Sequence, residues 1–439
     1  MKVLKFGGTS VGSAQRMKDV AKLITDGEQK IVVLSAMSGT TNTLVEISDY
    51  LYKKNPEGAN EVINKLEAKY KQHIEELYST EEYKQKTLEF VKSVFDYIRS
   101  YTKDIFTLFE EKVILAQGEI ISTNMVTNYL CEQGVKATLI PALEFMRTDK
   151  NSEPDLTYIR EKLAIQLEAN PDYEIYITQG FICRNAYGEI DNLQRGGSDY
   201  TASLIGAAVN ASEIQIWTDI DGMHDNDPRI VDKTSPVRQL HFEEAAELAY
   251  FGAKILHPTC VQPAKYANIP VRLLNTMEPT APGTLISNDT EKGKIKAVAA
   301  KDNITAIKIK SSRMLLAHGF LRKVFEIFES YQTSIDMICT SEVGVSVSID
   351  NTKHLNEILD DLKKYGTVTV DQDMCIICVV GDLEWENVGF EAKALDAMRD
   401  IPVRMISFGG SNYNISFLIR EEDKKKALQS LSDHLFNNK

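Results

Sequence analysis

The first residues of the chain contain the feature that most constrains its fold, a short apolar run that leads into a pair of glycines. Residues 2–12 read KVLKFGGTSVG, and helix-forming residues follow from Ala14. We predict a buried strand, a tight loop and a helix, because Gly7 and Gly8 tolerate positive φ and let a ligand touch the backbone. Free N–H groups in such a loop, beside a helix N-terminus, form an anion-binding concavity. Two interpretations stay open here: a phosphate-binding loop with Lys5 as its charge, or a plain turn with a surface lysine.

A second strand and loop repeat this arrangement. Residues 29–35, QKIVVLS, are a continuous apolar run that suits a strand buried on both faces, and the small-residue loop SAMSGTTN follows. Strands that alternate with helices are typical of a parallel sheet with helices on its faces. Ligands of such folds bind beyond the C-terminal ends of the strands, where both loops lie. Residues 61–111 have apolar positions at helical spacing and no chemical motif, so we predict a helical excursion beside or over the site.

Length and charge limit the class of protein. The chain has 439 residues, enough for two or three domains, and a formal net charge of -13. That charge argues against nucleic acid or an anionic membrane as the main partner. No apolar run is long enough to span a bilayer and the first residues do not form a signal peptide, so we expect a cytoplasmic protein. The spacing of the six cysteines is no disulfide framework, and Cys375 and Cys378 lie in an apolar run that favours a buried core over a zinc site.

Three later motifs combine glycines with charged residues. RGGSD at 195–199 leads into a helix, where Arg195 offers a planar fork to a carboxylate. Asp199 either caps that helix, orients a lysine or holds a metal. TDIDG at 218–222 ends a strand, and with the following HDNDPR it suits a loop that gathers nucleotide groups better than a calcium loop. GAKILHP places Lys254 at a tight turn, where it either meets a phosphate or is a solvated surface charge.

One glutamate has an open role. Glu119 follows Gly118 in the helical segment LAQGEIISTNMVTNYL. We place this pair at a helix start, where the helix dipole alone favours a carboxylate. If the side chain faces the cleft, it can also take up the ammonium group of a substrate. The residues alone do not decide between these two roles.

After about residue 290 the pattern changes to short elements in the order β-α-β-β-α-β, and a similar series restarts at Met374. We interpret this as an internal duplication of a small α+β sandwich. The second copy lacks a closing strand, which residues 295–300 can supply, so that the two copies interleave. The predicted domains are therefore residues 1–290, 300–372 and 373–439.

Six motifs of the chain occur together in one order. They are KFGGTSV at 5–11, SAMSGTTN at 35–42, QGE at 117–119, QRGGSDYTA at 194–202, TDIDG…DPR at 218–229 and GAKILHP at 252–258. This set resembles the aspartokinase family of the amino-acid kinase superfamily, over essentially the whole chain. The resemblance implies a three-layer αβα amino-acid kinase fold with a mainly parallel sheet, followed by two α+β, ferredoxin-like ACT domains. It also implies the monofunctional type, without a fused dehydrogenase.

The activity implied by the resemblance is the phosphorylation of the β-carboxylate of L-aspartate by ATP, giving ADP and 4-phospho-L-aspartate, the first step of aspartate-family amino-acid biosynthesis. Lys5 would neutralise charge on the transferred group, and Asp199 would organise that lysine and the Mg2+-bound phosphates. Mg2+ would be held mainly by ATP, with no protein ligands. His224 stands where family members often have tyrosine, which leaves one adenine-side contact open. The implied ATP contacts are Lys5, Gly7, Gly8, Thr9, Ser10, Thr218, Asp219, His224, Asp227, Arg229 and Lys254. The implied aspartate contacts are Thr41 (or its neighbour Thr40), Glu119, Arg195 and Ser198.

The C-terminal segments MLLAHGFLRKVF at 314–325 and SIDMICTSE at 334–342 resemble the effector site of lysine-sensitive aspartokinases. L-Lysine is therefore the implied feedback inhibitor, and a homodimer through the ACT domains, with a tetramer as the alternative, is the implied assembly. Two other functions stay open, a kinase for another small acid such as glutamate or carbamate and a non-catalytic amino-acid sensor. The implied effector contacts are Met314, Gly319, Phe320, Leu321, Asp336, Ser341 and Glu342.

Overall fold

The computed structural model describes residues 1–103, 105–193, 196–252, 256–311 and 318–436. They form two compact units. The first unit comprises Met1–Met223, Arg238–Phe242 and Ile255–Asn288, and the second comprises His224–Val237, Glu243–Lys254 and Asp289–Lys439. The division into domains 1–290, 300–372 and 373–439 stays a prediction.

Strands and helices are interspersed through the first half of the described chain. The strands are β1 Lys2–Phe6, β2 Lys30–Leu34, β3 Ala137–Leu139, β4 Ile175–Gln179, β5 Ile182–Arg184, β6 Ile190–Asn192, β7 Ile214–Thr218, β8 Met223–His224, β9 Pro236–Val237, β10 Gln239–His241, β11 Val271–Asn275, β12 Thr284–Ser287, β13 Ile295–Lys310, β14 Met337–Ser341, β15 Gly344–Ile349, β16 Thr367–Gly381, β17 Val403–Ser407 and β18 Asn414–Arg420. The α-helices are α1 Ala14–Ile24, α2 Thr40–Tyr52, α3 Pro56–Leu77, α4 Glu81–Ser100, α5 Leu108–Glu132, α6 Leu156–Glu168, α7 Gly197–Val209, α8 Phe242–Tyr250, α9 Pro258–Tyr266, α10 Phe320–Ser330, α11 Leu355–Lys363, α12 Phe390–Ala397 and α13 Lys424–Leu435.

The first unit is built on an eight-stranded sheet in the order β10-β12-β11-β7-β1-β2-β4-β3. Its described strand pairs are parallel except β11–β12, so the predicted mainly parallel sheet is confirmed. Phe6 at the end of β1 pairs with Leu34 of β2 on one side and with Trp217 of β7 on the other. Because the C-terminal ends of these strands meet at one edge, the loops that follow them lie side by side.

The two faces of β1 contact different helices, because side chains alternate along a strand. Leu4 and Phe6 belong to a buried core that also contains residues of α1 to α5. Lys5 lies on the opposite face, where α7 contacts β1. The predicted helical excursion is present as α3 and α4, whose apolar stripes are buried in the same core as β1; Tyr70 of α3 and Phe95 of α4 have ring centroids 5.9 Å apart.

The second unit contains a six-stranded sheet in the order β14-β15-β13-β16-β18-β17, with antiparallel pairs. The long strands β13 and β16 pair along their length, with three register shifts, between Ile295 and Ala297, between Lys301 and Ile304 and between Ile304 and Ala306. Helices α10 and α11 pack on one half of this sheet, and α12 and α13 pack on the other. The sheet thus carries two α+β halves, as expected of paired ACT domains. Cys375 and Cys378 are both buried in β16, and all six cysteines are free thiols.

Among the described helices, none is both long enough and apolar enough to cross a membrane.

Candidate functional site

A cavity of about 310 Å³ lies at the C-terminal edge of the sheet in the first unit. Its walls come from the loops after β1, β2 and β4, from the middle of α5 and from the first turns of α2 and α7. The residues that line it are Gly8, Ser35, Ala36, Met37, Ser38, Gly39, Thr41, Asn42, Glu119, Phe181, Gly197 and Ser198.

The lysine of the first motif forms an ion pair with the aspartate of RGGSD. Lys5 Nζ lies 2.7 Å from Asp199 Oδ1, and the two side chains are only 11% and 16% exposed. Asp199 is the third residue of α7, and the N-cap position is Gly196 with a φ of 78°. The alternative that Asp199 caps the helix is therefore wrong: its carboxylate is directed to Lys5. A Cβ at Gly7 would lie 3.5 Å from Lys5 Nζ, so the glycine loop runs directly beside the ammonium group.

The glycine loop is fixed to the loop after β2. Ser38 N–H donates a hydrogen bond to the Gly8 carbonyl at 3.1 Å, and a Cβ at Gly8 would lie only 2.9 Å from the Ala36 carbonyl oxygen. Thr9 is exposed. Ser10, in contrast, is fully buried, and its hydroxyl lies 2.7 Å from Thr276 Oγ1. The structure thus places Ser10 behind the loop, where it binds the protein interior.

The structure corrects the position of Glu119. The residue lies in the middle of α5, whose N-terminus is capped by Thr107, so the expectation of a helix start at Gly118 is wrong. Gly118 serves a packing role instead, since a Cβ there would lie 2.8 Å from Ala36 Cβ and 3.2 Å from Thr40 Cγ2. Only a residue without a side chain lets α5 approach the loop this closely.

The surroundings of Glu119 suit a cation. Its side chain is 3% exposed, and its Oε1 accepts a hydrogen bond from Ala36 N–H at 3.3 Å. Its Oε2 has no hydrogen-bond partner among the residues that the structure describes. Burial raises the pKa of Glu119 to about 8. Because an unpaired buried carboxylate is costly, the cavity beside it is suited to a positively charged group of a ligand.

The two threonines left open by the sequence have different surroundings. Thr40 is fully buried and its hydroxyl lies 2.9 Å from the Tyr70 hydroxyl, whereas Thr41 lines the cavity. Ser198 also lines the cavity and accepts a hydrogen bond from Ser35 Oγ at 2.9 Å. Of the two threonines, only Thr41 therefore lies at the cavity wall, together with Ser198 and the other serines that line it, Ser35 and Ser38.

Two helix N-termini point their first turns at this cavity. Helix α2 follows Gly39 and helix α7 follows Gly196, and both glycines have a positive φ near 80°. The first N–H groups of a helix lack intrahelical partners, and the helix dipole adds positive potential there. Together with Lys5, the two N-termini suit anionic groups such as carboxylates or phosphates.

The remaining residues that the resemblance assigns to ATP are described within the unit to which each belongs. In the first, Thr218 ends β7 and its carbonyl accepts a hydrogen bond from Thr276 N–H at 2.8 Å, and Asp219 is exposed. In the second, Arg229 donates two hydrogen bonds to Asp227, at 2.9 and 2.7 Å, and thereby lowers the pKa of Asp227. His224, also in the second unit, lies 2.9 Å from Thr234 Oγ1 through Nδ1. Arg195 and Lys254 lie outside the described residues.

In the second unit, the implied effector residue Asp336 is buried in a cluster of charged groups. Its side chain is 1% exposed, and its Oδ1 accepts hydrogen bonds from Lys301 Nζ at 2.7 Å and from the Tyr250 hydroxyl at 2.8 Å. Its Oδ2 has no hydrogen-bond partner in the described part of the chain. Burial raises the pKa of Asp336 although Lys301 opposes the shift. Lys301 also pairs with Asp350 at 2.9 Å.

The other implied effector residues lie near the ends of neighbouring elements. Gly319, with a φ of 83°, is the N-cap of α10, and Phe320 and Leu321 form its first turn. Ser341 ends β14 and Glu342 follows in the turn to β15, where both are exposed. Met314 lies outside the described residues.

Several contacts of these sites are absent from the sequence motifs. Phe181 lines the cavity with a φ of 68°, a conformation that non-glycine residues rarely adopt. It lies two residues after the end of β4, so the rule that ligands gather at strand ends could have singled it out. No sequence signal pointed to Lys301 or Tyr250. Among the described residues, no group of three or more His, Cys, Asp or Glu side chains is arranged to hold a metal ion.

Known proteins share both the sequence and the fold. The model of the amino acid kinase family matches residues 1–275, and a model of the ACT domain matches residues 377–435. Aspartokinase 1, chloroplastic, from Arabidopsis thaliana is 35% identical over 99% of this chain and 80% of that protein. The crystal structure of E. coli aspartokinase III in complex with aspartate and ADP has a TM-score of 0.86 at 32% identity, covering 99% of this chain and 100% of that one. The structure of E. coli aspartokinase III in complex with lysine and aspartate has a TM-score of 0.80 at 32% identity and covers 99% of each chain.

Proposed function

The chain belongs to the aspartokinase family, and on that basis we propose that it transfers the γ-phosphoryl group of ATP to the β-carboxylate of L-aspartate. The products are ADP and 4-phospho-L-aspartate. The observation that carries the choice of substrate is Glu119, whose unpartnered Oε2 is buried beside a cavity lined by two helix N-termini. A cavity that offers one buried carboxylate and several anion-binding groups fits a small amino acid with two carboxylates.

Each group of the substrate has a partner in this proposal. Glu119 pairs with the α-ammonium group. Thr41 and Ser198 donate hydroxyl groups to the carboxylates, and the first turns of α2 and α7 add N–H groups. Arg195 binds a carboxylate through its planar fork, a role that rests on the family resemblance alone.

The chemistry needs little beyond positioning and charge neutralisation. The β-carboxylate is already a nucleophile at neutral pH, so no strong general base is required. Lys5, beside the glycine loop and 2.7 Å from Asp199, neutralises charge that develops on the phosphoryl oxygens. The Asp199 carboxylate holds the ammonium group of Lys5 in place. Gly8 and Thr9 bring backbone N–H groups to the phosphates. The Gly7 N–H donates to the Trp217 carbonyl, so Gly7 contributes by letting the loop pass beside Lys5, and Ser10 holds the loop from behind.

The remaining nucleotide contacts are assigned to the segment after β7. Thr218, Asp219, His224, Asp227, Arg229 and Lys254 are the proposed contacts to the rest of ATP. Mg2+ is proposed to be carried mainly by the ATP phosphates, as the family resemblance implies. When bound, it neutralises charge on the triphosphate, and Asp199 is the carboxylate near the glycine loop that can face it.

Regulation is proposed to occur through L-lysine bound in the second unit. Asp336 offers a buried oxygen without a described partner, and Glu342 adds a second carboxylate, which suits an effector with two ammonium groups. The effector carboxylate is assigned to Gly319, Phe320 and Leu321 at the start of α10, with Met314 and Ser341 as further contacts. A homodimer through the ACT domains, a tetramer as a further assembly and the cytoplasm as the location complete the proposal.

An ADP-release assay with the full chain tests the proposed function. ATP, Mg2+ and one acid at a time (aspartate, glutamate or carbamate) are supplied, with and without L-lysine. We expect ADP release with aspartate alone and its suppression by millimolar lysine. Release with glutamate or carbamate would indicate another acid kinase. If lysine raises the melting temperature but no ADP is released with any of the acids, the protein would be an amino-acid sensor.

A further inference from the structure

We propose that Tyr70 and Lys69 of α3 are positioning residues for the phosphoryl-transfer reaction, acting through the loop of residues 36–41. This inference rests on the proposed function, because the loop is part of the proposed aspartate site. It assigns a role to the helical excursion, in which the sequence carries no chemical motif.

The loop of residues 36–41 contacts the main parts of the cavity. Ala36 N–H donates to Glu119, and Ser38 N–H donates to the Gly8 carbonyl of the glycine loop. Its last two residues, Thr40 and Thr41, form the start of α2, so the position of the loop sets that of Thr41. A shift of this loop therefore displaces the proposed ammonium and carboxylate contacts together.

Helix α3 holds this loop on both sides of a glycine. Lys69 Nζ donates a hydrogen bond to the Ser38 carbonyl at 3.1 Å, and the Tyr70 hydroxyl lies 2.9 Å from Thr40 Oγ1. Between these two contacts lies Gly39, whose φ is 81°. A glycine here allows the turn but leaves it free to change conformation, and it has no side chain to cap α2. The two contacts from α3 supply the restraint that the loop itself lacks.

The Tyr70 contact is more than core packing. The ring is fully buried and packs near Phe95, which anchors α3, but this packing would serve a phenylalanine equally well. A buried hydroxyl is costly unless it is hydrogen-bonded, and the bond is made to Thr40, the first residue of α2. Burial raises the pKa of Tyr70, with a smaller contribution from the charge of Glu119, so the hydroxyl keeps its proton.

The expected effect of losing either contact is on aspartate rather than on ATP. Tyr70→Phe leaves the Thr40 hydroxyl without its partner, and Lys69→Met releases the Ser38 carbonyl. We expect each change to lower kcat/KM for aspartate by about fivefold, the effect of one modest hydrogen bond on a positioned group. The KM for ATP is expected to stay within about twofold of its original value, because the hydrogen bond from Ser38 N–H to the Gly8 carbonyl, which joins this loop to the glycine loop, is made by backbone atoms that neither substitution removes.

The test is a set of steady-state kinetics with the full chain, varying each substrate at saturation of the other. The matched control is Lys65→Met, which removes a lysine one turn earlier on α3 whose side chain is 72% exposed and pairs only with Glu61 in the described structure. Melting temperatures are measured for every variant. The control is expected to behave as the parent protein does, and Lys69→Met, which alters an exposed residue, keeps the parent's melting temperature.

A double-mutant cycle separates positioning from general destabilisation. Thr40→Val should cost as much kcat/KM for aspartate as Tyr70→Phe, and the double variant should cost no more than either single one, because all three remove one interaction. Additive losses of kcat/KM for aspartate in the double variant would overturn the inference, and so would equal losses of kcat/KM for aspartate and for ATP. Tyr70→Phe and Lys69→Met variants that behave like Lys65→Met would also overturn it. In each case the proposed function stands. If the parent protein does not phosphorylate aspartate, the proposed function and this inference fail together.

Discussion

Exchange of Glu119 for glutamine gives a sharp test of the substrate site, because it keeps the shape of the side chain and removes its charge. In the ligand-free protein, burial raises the pKa of Glu119 to about 8. Binding the ammonium group of aspartate requires the ionised form. The affinity for aspartate is therefore expected to rise with pH up to about 8 and to level off above it.

The size of the effect follows from the fraction of protein that is competent to bind. With a pKa near 8, about one molecule in ten carries the ionised carboxylate at pH 7 and about one in a hundred at pH 6. The apparent KM for aspartate then lies about tenfold and about a hundredfold above its high-pH limit. Glu119→Gln has no ionisable carboxyl group at this position, so its KM for aspartate is raised and does not depend on pH. The KM for ATP serves as the internal reference.

The stability of the protein gives a second measurement, because it is expected to fall with rising pH whereas the affinity for aspartate rises. Folding raises the pKa of Glu119 above its unfolded value, so the folded protein binds this proton more tightly. Its contribution to stability is therefore fully present at low pH and declines as pH rises from about 4.5 towards about 8, by about 1.4 kcal/mol per pH unit. In the absence of ligands, Glu119→Gln should melt at a higher temperature than the parent at pH 9 and show no such advantage at pH 4.5.

The matched control is Glu67→Gln, another buried glutamate of the first unit. Burial alone would raise the pKa of Glu67, but its hydrogen bonds with Lys71 and Arg99 lower this pKa below its usual value. Glu67 is therefore ionised throughout the tested pH range. Glu67→Gln should keep the parent's slope of kcat/KM for aspartate between pH 6 and 9. A flat profile in the parent protein, or an unchanged slope in Glu119→Gln, would refute the role of Glu119.

Three further changes test other parts of the account. Lys5→Ala should lower kcat by about a hundredfold to a thousandfold with little change in the aspartate KM, and near-normal turnover would remove Lys5 from the chemistry. Gly180→Ala places a Cβ 2.4 Å from Ser198 Oγ, so kcat/KM for aspartate should fall while circular dichroism shows an intact fold; unchanged kinetics would contradict the placement of Ser198. Lys301→Met removes the ammonium group that pairs with Asp336, so an L-lysine effector no longer competes with Lys301 for this carboxylate. The concentration of L-lysine that halves the activity should then fall by about threefold or more. A rise in that concentration would show that Lys301 supports the effector site.

The sequence predicted the parts of the site that depend on strand ends. An apolar strand followed by glycines defines both β1 and its loop, and parallel pairing of β1, β2 and β7 brings the three loops to one edge. Lys5 lies one residue before the end of β1, so alternation along the strand directs it to the face of α7. These features are local or follow from the period of a strand, which is why they could be read from the chain.

The sequence did not predict contacts that depend on how distant elements pack. Gly118 looked like a helix boundary, but it lies in the middle of α5 because a close approach to Ala36 needs a residue without a side chain. Ser10 looked like a phosphate ligand, but the loop turns its hydroxyl inward to Thr276, a residue 266 positions away. The contact of Tyr70 with Thr40 likewise exists only once α3 packs against α2.

The central claim is that the protein places a phosphoryl group on the side-chain carboxylate of aspartate. Hydroxylamine tests this most directly, because it displaces phosphate from an acyl phosphate and leaves a stable hydroxamate. With ATP, Mg2+, L-aspartate and hydroxylamine, the account predicts aspartate β-hydroxamate in an amount equal to the ADP released. Chromatographic separation and fragmentation by mass spectrometry distinguish it from the α-isomer, which has the same mass. ADP release without hydroxamate, or a hydroxamate at the α-carboxylate, would contradict it.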